Sequence, residues 1–257
     1  MGAAASLLHS ARAKQSKICP LAAPAQFCFP AAGLARRAGG CKTSRMANPG
    51  ETSSELLLAR AGVRRVPSPK IELFDLPRFL PPELCSELIA LIDRERRPST
   101  IADENGDNYF RTSETCDLRE DEPAVRELEA RLAALNGIDP AYGEPVQGQR
   151  YAEGQEFKAH TDYFEPTGAD FARYCSVAGN RTWTFMIYLN EVEAGGATRF
   201  KVIDKIFKPE VGKLLCWNNR RPDGALNGAT LHHGMKVRKG VKYVITKWYR
   251  EKPWGWD

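Results

Sequence analysis

The stretch QRYAEGQEFKAHTDYF, at residues 149–164, decides how this chain is interpreted, because its centre pairs an imidazole with a carboxylate. His160 and Asp162 are separated by one residue. On an extended strand, residues i and i+2 face the same way, so both side chains converge on one point. A second imidazole from elsewhere would complete two histidines and one carboxylate, a set that suits non-haem Fe(II) and leaves coordination positions open. Such pairs also arise by chance, so partners must be sought elsewhere in the chain.

Histidine is scarce in the sequence, which narrows the search for a third ligand. Of four histidines, His9 lies near the N-terminus, and the only others beside His160 are the adjacent His232 and His233. Neighbours on a strand face opposite ways, so one of the pair can reach a metal while the other faces away. The alternative is a histidine pair at a strand edge that binds no metal. The residues alone do not choose between these interpretations.

Composition describes an ordinary globular chain of 257 residues, 42% hydrophobic and 27% charged. No apolar run approaches the roughly 18–20 residues that cross a bilayer, so no membrane span is expected. The formal charge of +5 comes from residues 1–50, which hold seven basic and no acidic residues. The remaining 207 residues carry 30 basic and 32 acidic side chains. Nucleic-acid binding by a basic domain is therefore not expected.

The two ends of the chain differ in character. Residues 1–50 are rich in Ala, Arg, Ser and Pro and are predicted to be a disordered or leader-like extension. Residues 51–257 are predicted to form a single domain with its core at 144–251. Seven cysteines at irregular spacing, none in C-x-x-C, favour a reducing compartment, so we expect a cytoplasmic protein. Organelle targeting by residues 1–45 is the alternative.

The chain is predicted to be mainly β, with helices before the strands. Pro81-Pro82 opens one helix, a second is predicted at 122–136, and residues 98–120 are polar and turn-rich. A short strand is expected at 71–74. After Gly143, short β-like runs separated by Gly-rich turns indicate a sandwich or jelly roll. These runs are 145–152, 156–160, 183–190, 197–200, 212–217, 229–232 and 242–249.

The last of these runs, KYVITKWYR at 242–250, places a lysine on each face. Lys242 shares a face with Val244, Thr246 and Trp248, and Lys247 lies on the other. A lysine that points into a β core needs an anion, and a small carboxylate-bearing molecule would supply one. Alternation alone does not determine which lysine points inward.

Four ordered blocks carry a resemblance to a known family: YAEGQEFKAHTDYF (151–164), RTWTFMIYLNEVEAGGATRF (181–200), GKLLCWNN (212–219) and TLHHGMKVRKGVKYVITKWYR (230–250). Over residues 70–251 the chain resembles the catalytic domain of prolyl 4-hydroxylase-type 2-oxoglutarate- and Fe(II)-dependent dioxygenases. The resemblance implies an α+β, mainly β fold: a double-stranded β-helix (jelly roll) with supporting N-terminal helices.

The resemblance also implies roles for particular residues. It implies an iron site formed by His160, Asp162 and His232, with His232 preferred to His233 by its spacing from Lys242. Around 2-oxoglutarate it implies Lys242, Tyr151, Thr184 and Trp248. In the substrate groove it implies Arg111, Ser113, Glu144 and Arg181, for which loop capping and surface salt bridges are the alternative. The chain departs from the family at Lys236-Val237, where proline commonly precedes the valine, and in an insert at 165–180 that could act as a lid.

The implied activity is hydroxylation of an unactivated C–H, most readily in a prolyl residue of a peptide or protein, with release of succinate and CO2. The implied requirements are Fe(2+), 2-oxoglutarate and O2, with L-ascorbate as reductant. One alternative is a hydroxylase of a free amino acid or another small molecule. Another is a catalytically silent jelly-roll binding module. Structural zinc binding would need a fourth ligand, which the sequence does not offer at suitable spacing.

Overall fold

The computed structural model describes residues 50, 52–99 and 110–255, and all statements below refer to these ranges. The extension predicted at residues 1–50, and the targeting alternative for residues 1–45, lie outside these ranges except at Gly50. In these ranges the α-helices are α1 (Ser53–Leu58), α2 (Pro82–Glu95), α3 (Pro123–Asn136) and α4 (Phe171–Cys175), with 3-10 turns at Pro140–Tyr142 and Gly228–Thr230. None of these helices has the length and apolar character needed to span a membrane.

The strands follow the helices and then interleave with turns. They are β1 (Arg64–Arg65), β2 (Leu73–Leu76), β3 (Arg97–Pro98), β4 (Glu114–Asp117), β5 (Gln147–Tyr151), β6 (Phe157–His160), β7 (Arg181–Tyr188), β8 (Ala194–Gly195), β9 (Thr198–Phe200), β10 (Lys205–Phe207), β11 (Leu214–Asn218), β12 (His232–Gly234), β13 (Val237–Lys239) and β14 (Lys242–Arg250). An eight-stranded sheet has the order β1-β2-β11-β7-β14-β5-β4-β3, and a four-stranded sheet has the order β10-β9-β12-β6. Every pairing in them is antiparallel. The predicted mainly β jelly roll is confirmed.

Helices α2 and α3 cover the outer face of the large sheet. The apolar stripe of α2, including Leu88 and Ile92, is buried in one cluster with Leu128 and Leu132 of α3. Gly148 of β5 lies directly beneath Ile92, where a Cβ atom would collide with the isoleucine side chain. Glycine is therefore required for the close approach of helix and sheet. A second apolar cluster lies between the two sheets and frames the site described below.

Helix limits agree closely with the sequence. Proline in the first turn starts both α2 and α3, where its missing N–H has no partner to lose. Helix α3 ends at Gly137, which has φ 67°, a left-handed conformation that glycine adopts without strain.

Some strand predictions are corrected. The strand expected at 71–74 lies at Leu73–Leu76, and the described part of the stretch 98–120 contains β4. Strand β4 pairs with β5 near the edge of the sheet, where polar residues are tolerated. The run at 229–232 begins as a turn because the Asn227 side chain accepts a hydrogen bond from the Ala229 amide at 3.0 Å, so the strand starts at His232.

Candidate metal centre

Three side chains predicted to bind metal meet between the two sheets. His160 ends β6 and lies directly opposite His232, the first residue of β12, in antiparallel register. Asp162 follows two residues after His160 and is buried. One ligand atom from each of the three lies within 4.8 Å of the other two. Pairing of β6 with β12 thus brings together residues that are far apart in sequence.

Both imidazoles are oriented by backbone carbonyls. Nδ1 of His160 lies 2.8 Å from the Lys158 carbonyl, and Nδ1 of His232 lies 3.0 Å from the Thr230 carbonyl. A carbonyl only accepts, so each Nδ1 carries a hydrogen, and in the neutral ring Nε2 then presents a lone pair. Nε2 of His160 is 3.8 Å from Oδ1 of Asp162. The donor atoms therefore face a common centre in the protonation states that a metal requires.

Electrostatics favours the same states. Burial, and to a lesser extent the nearby His232, lowers the pKa of His160 to about 3, so its imidazole is neutral at physiological pH. Burial opposes ionisation of Asp162, but its polar surroundings, which include Arg181 and the Thr184 hydroxyl, outweigh it and lower the pKa of the carboxyl group. Two imidazoles and one carboxylate are the donor set that suits non-haem Fe(II).

Thr184 occupies a different place from the one predicted. Its hydroxyl donates to Oδ2 of Asp162 at 2.7 Å and accepts from Nδ2 of Asn219 at 3.0 Å. The side chain is fully buried and is not part of the cavity wall. Thr184 therefore contacts the carboxylate of the centre and not the space predicted for 2-oxoglutarate.

The other residues predicted around 2-oxoglutarate line one cavity with the three candidate ligands. Tyr151, Lys242 and Trp248 project into it from β5 and β14 of the large sheet. Lys242 is opposite Tyr151 in register, and its Nζ lies 5.0 Å from that ring centroid and 5.5 Å from the Tyr188 ring. Burial lowers the pKa of Lys242 to about 7.

The lysine that points inward is therefore Lys242. Lys247 points to the opposite face, where it forms an ion pair with Glu129 of α3. Lys242 forms no ion pair with any residue that the structure describes. A buried ammonium without a counter-ion is unfavourable, so this cavity is suited to an anion at Lys242.

The two histidines at 232 and 233 are also distinguished. His233 points away from the centre, and its Nε2 lies 2.9 Å from Oε2 of Glu156. His232 instead packs among aromatic rings, with its centroid 4.9 Å from that of Trp217. This position agrees with the preference for His232 that the family resemblance implied.

Glu144 and Arg181, predicted in the substrate groove, form a buried ion cluster. Arg181 donates to both carboxylate oxygens of Glu144, at 2.6 and 2.8 Å, and Arg250 donates to Oε1 at 2.6 Å. Arg181 also donates to the Asp162 carbonyl at 3.2 Å and lies 3.8 Å from the Trp248 ring centroid. These two residues form a salt bridge, as the alternative expected, but a buried one, and their predicted contact with substrate stays a prediction.

Arg111 and Ser113 lie beside the centre. Arg111 donates to the Ser113 hydroxyl at 3.0 Å and to the Gln147 side chain at 2.9 Å. Its guanidinium lies 4.9 Å from the Phe157 ring, which stacks on His160 with centroids 3.6 Å apart. Arg111 therefore contacts the Phe157 ring, which in turn packs against the candidate ligand His160.

The insert at 165–180 contains α4 and is fastened to the ion cluster. Arg250 donates to the carbonyls of Tyr174 at 3.0 Å and Gly179 at 2.7 Å. The Asn180 side chain forms two hydrogen bonds with the Phe164 backbone. Sequence reasoning missed Arg250 and Asn219, although both lie in the quoted blocks, because a buried arginine or asparagine has no signal in spacing alone.

Comparisons with known proteins agree with this arrangement. A family model described as the 2OG-Fe(II) oxygenase superfamily matches residues 146–250. Prolyl 4-hydroxylase subunit alpha-3 of Mus musculus is 38% identical over 146 residues, 55% of this chain and 26% of that protein. The chain thus spans about a quarter of the length of this relative. Probable prolyl 4-hydroxylase 10 of Arabidopsis thaliana is 32% identical over 197 residues, 67% of this chain and 66% of that protein.

A solved structure shares the fold. The viral collagen prolyl hydroxylase from Paramecium Bursaria Chlorella virus-1, in its 2OG complex, superposes with a TM-score of 0.55 at 24% identity. The match covers 69% of this chain and 95% of the viral one. It supports the jelly-roll architecture independently of sequence patterns.

Proposed function

This chain contains a prolyl 4-hydroxylase-type 2OG-Fe(II) oxygenase domain, and from this premise we propose that it hydroxylates prolyl residues in a peptide or protein. Turnover would consume 2-oxoglutarate and O2 and release succinate and CO2. The proposal assigns His160, Asp162 and His232 as the iron ligands. It assigns Lys242 to the far carboxylate of 2-oxoglutarate.

One observation carries the proposal: the three candidate ligands and the unpaired Lys242 line the same cavity. Three ligands on one side of a metal leave positions for other molecules. A buried cation without a counter-ion in the same cavity is suited to a carboxylate. A molecule with a metal-chelating end and a distant carboxylate satisfies both features, and 2-oxoglutarate has this form.

The chain's own residues orient the three candidate ligands and exclude water from the centre. The Lys158 and Thr230 carbonyls fix the two imidazoles, and the Thr184 hydroxyl fixes Asp162. Phe157, Phe200 and Trp217 pack against the imidazoles and shield the centre from solvent. When bound, Fe(II) supplies the oxygen activation that protein side chains cannot perform.

The Arg181–Glu144–Arg250 cluster connects this centre to the insert. Arg181 contacts both the Asp162 backbone and the Trp248 ring, while Arg250 holds α4 by its last turn. We infer that the insert forms one wall of the peptide groove, and that its fixed attachment orders that wall before substrate binds.

The test is mass spectrometry of proline-containing peptides incubated with Fe(II), 2-oxoglutarate, ascorbate and the protein. The expected result is a gain of one oxygen on a prolyl residue, with succinate formed in equal amount. Oxygen gain on free proline but on no peptide would favour the small-molecule alternative. Bound iron without succinate release, in the presence of either substrate, would contradict the proposal and favour a silent binding module.

A further inference from the structure

The carboxylate of Asp162 is held from behind by two buried side chains outside the cavity, Thr184 and Asn219. Building on the proposed function, we propose that Asn219 and Thr184 are a positioning pair that restricts Asp162 to a single metal-binding oxygen. Neither residue reaches the cavity, so any influence on the metal must act through the carboxylate.

The direction of the hydrogen bonds follows from the chemistry of the groups. An ionised carboxylate only accepts, so the single hydroxyl hydrogen of Thr184 must go to Oδ2 of Asp162, 2.7 Å away. Thr184 then offers Asn219 only a lone pair, and Asn219 must present its NH2 group, which lies at 3.0 Å. Each bond polarises the next, so the chain delivers a stronger donor to Oδ2 than an isolated threonine would.

Asn219 is fixed in place for this task. It is completely buried, and both of its backbone polar groups are paired. The backbone N–H of Asn219 donates to the Thr182 carbonyl at 2.7 Å, and its backbone carbonyl accepts from the Asn227 backbone N–H at 2.9 Å. Its Oδ1 is buried and has no hydrogen-bond partner in the described chain. The side-chain NH2 of this fully buried residue is therefore directed at Thr184 and, through it, at the centre.

The geometry defines what the pair does. Oδ2 is occupied by the Thr184 hydroxyl, while Oδ1 faces the histidines, 3.8 Å from Nε2 of His160. A hydrogen bond at Oδ2 opposes the rotation that would offer both oxygens to a metal. The pair therefore keeps the protein's contribution at three ligand atoms and preserves the positions that the co-substrate and O2 require.

The experiment titrates the metal-free protein with Co(II), a redox-stable probe whose visible absorption reports coordination number. Thr184→Val removes the hydroxyl while keeping the side-chain shape, and we expect about 10- to 100-fold weaker Co(II) binding, the usual effect of losing such a contact. The Co(II) spectrum should shift as well. Thr184→Ser, which restores the hydroxyl, should return both values to near wild type. Thr184→Ala removes the same hydroxyl without added bulk and replaces valine if that variant does not fold.

Asn219→Ala should weaken Co(II) binding in the same direction by a smaller factor. Added to Thr184→Val it should have almost no further effect, because Asn219 acts through Thr184. The matched control is Thr182→Val: this buried hydroxyl lies two residues earlier on β7 and donates to the Tyr249 carbonyl at 3.1 Å, away from the centre. It should leave the dissociation constant and the spectrum unchanged.

Wild-type Co(II) affinity and spectrum in a folded Thr184→Val or Thr184→Ala variant would overturn the inference, as would failure of Thr184→Ser to restore them. A wild-type chain that binds no Co(II) would overturn the proposed function, and this inference with it. Wild-type binding with unaffected variants overturns the positioning pair alone.

Discussion

Lys242 and Lys247 lie on opposite faces of the same strand and are both buried, yet only Lys247 has a carboxylate partner among the described residues, Glu129. The two lysines are an odd number of positions apart on the strand. Because side chains alternate between faces, one points to α3 and the other into the cavity. The same residue type thus holds a helix on one face and leaves an unsatisfied cation on the other. The difference makes the two lysines a matched pair for experiment.

Lys242→Met should raise the 2-oxoglutarate concentration needed for half-maximal succinate formation by roughly 10- to 100-fold. The reason is the loss of one charge-assisted hydrogen bond, about 1.5–3 kcal/mol. Lys247→Met is the control: it should leave that concentration unchanged but lower the free energy of unfolding by about 1–3 kcal/mol, since it removes the partner of Glu129. An increased requirement in Lys247→Met alone would move the role to that residue.

Binding of 2-oxoglutarate should take up a proton at alkaline pH. Burial lowers the pKa of Lys242 to about 7, so at pH 8.5 the free amine is mostly neutral. A bound carboxylate favours the ammonium form and draws in about one proton, whereas at pH 6 the group is already charged. Calorimetry in buffers of different ionisation enthalpy should therefore show uptake at pH 8.5 and almost none at pH 6. Equal uptake at both values, or uptake that persists in Lys242→Met, would contradict this assignment.

Asp162→Ala and His232→Ala should each abolish succinate formation and reduce bound iron to background, because each removes one of three ligands. His233→Ala is the neighbouring control. Its imidazole is held by Glu156 on the other side of β12, so iron content and turnover should stay within about twofold of wild type. Iron analysis after dialysis checks both. Loss of iron in His233→Ala, with iron retained in His232→Ala, would mean that His233 and not His232 is the iron ligand.

The sequence could predict the features that depend on strand alternation and on the residues that start or end a helix. Strand period placed Lys242 on a face with Trp248, and prolines predicted the starts of α2 and α3. The short spacing of His160 and Asp162 predicted that they lie close together, although β6 ends at His160 and Asp162 lies in the bend that follows it. These features are set within a few residues, so a single sequence carries them.

Long-range register could not be predicted in this way. Thr184 faces Asp162 because β7, β11 and β14 align in one particular register, with Thr184 beside Trp217 and Trp248. The buried contacts of Glu144 with Arg250, and of Asn219 with Thr184, depend on the same alignment. Nothing in the local pattern around these residues distinguishes a buried polar partner from a surface side chain.

Glu144→Gln should destabilise the protein by about 3–5 kcal/mol at pH 7, because it leaves two buried arginines without a counter-charge. Burial raises the pKa of Glu144, but Arg181 and Arg250 outweigh it and hold it below the usual value. A carboxyl group with a depressed folded-state pKa contributes stability above its unfolded pKa of about 4.3 and loses it as the pH falls through the folded value. Urea unfolding should therefore show the difference in free energy of unfolding between wild type and variant closing below about pH 4.

The exposed Glu127, paired with Arg131 on α3, is the control, and Glu127→Gln should change stability by no more than about 0.5 kcal/mol. A gap that stays constant down to pH 3 would mean that the charge of Glu144 is not what stabilises the cluster.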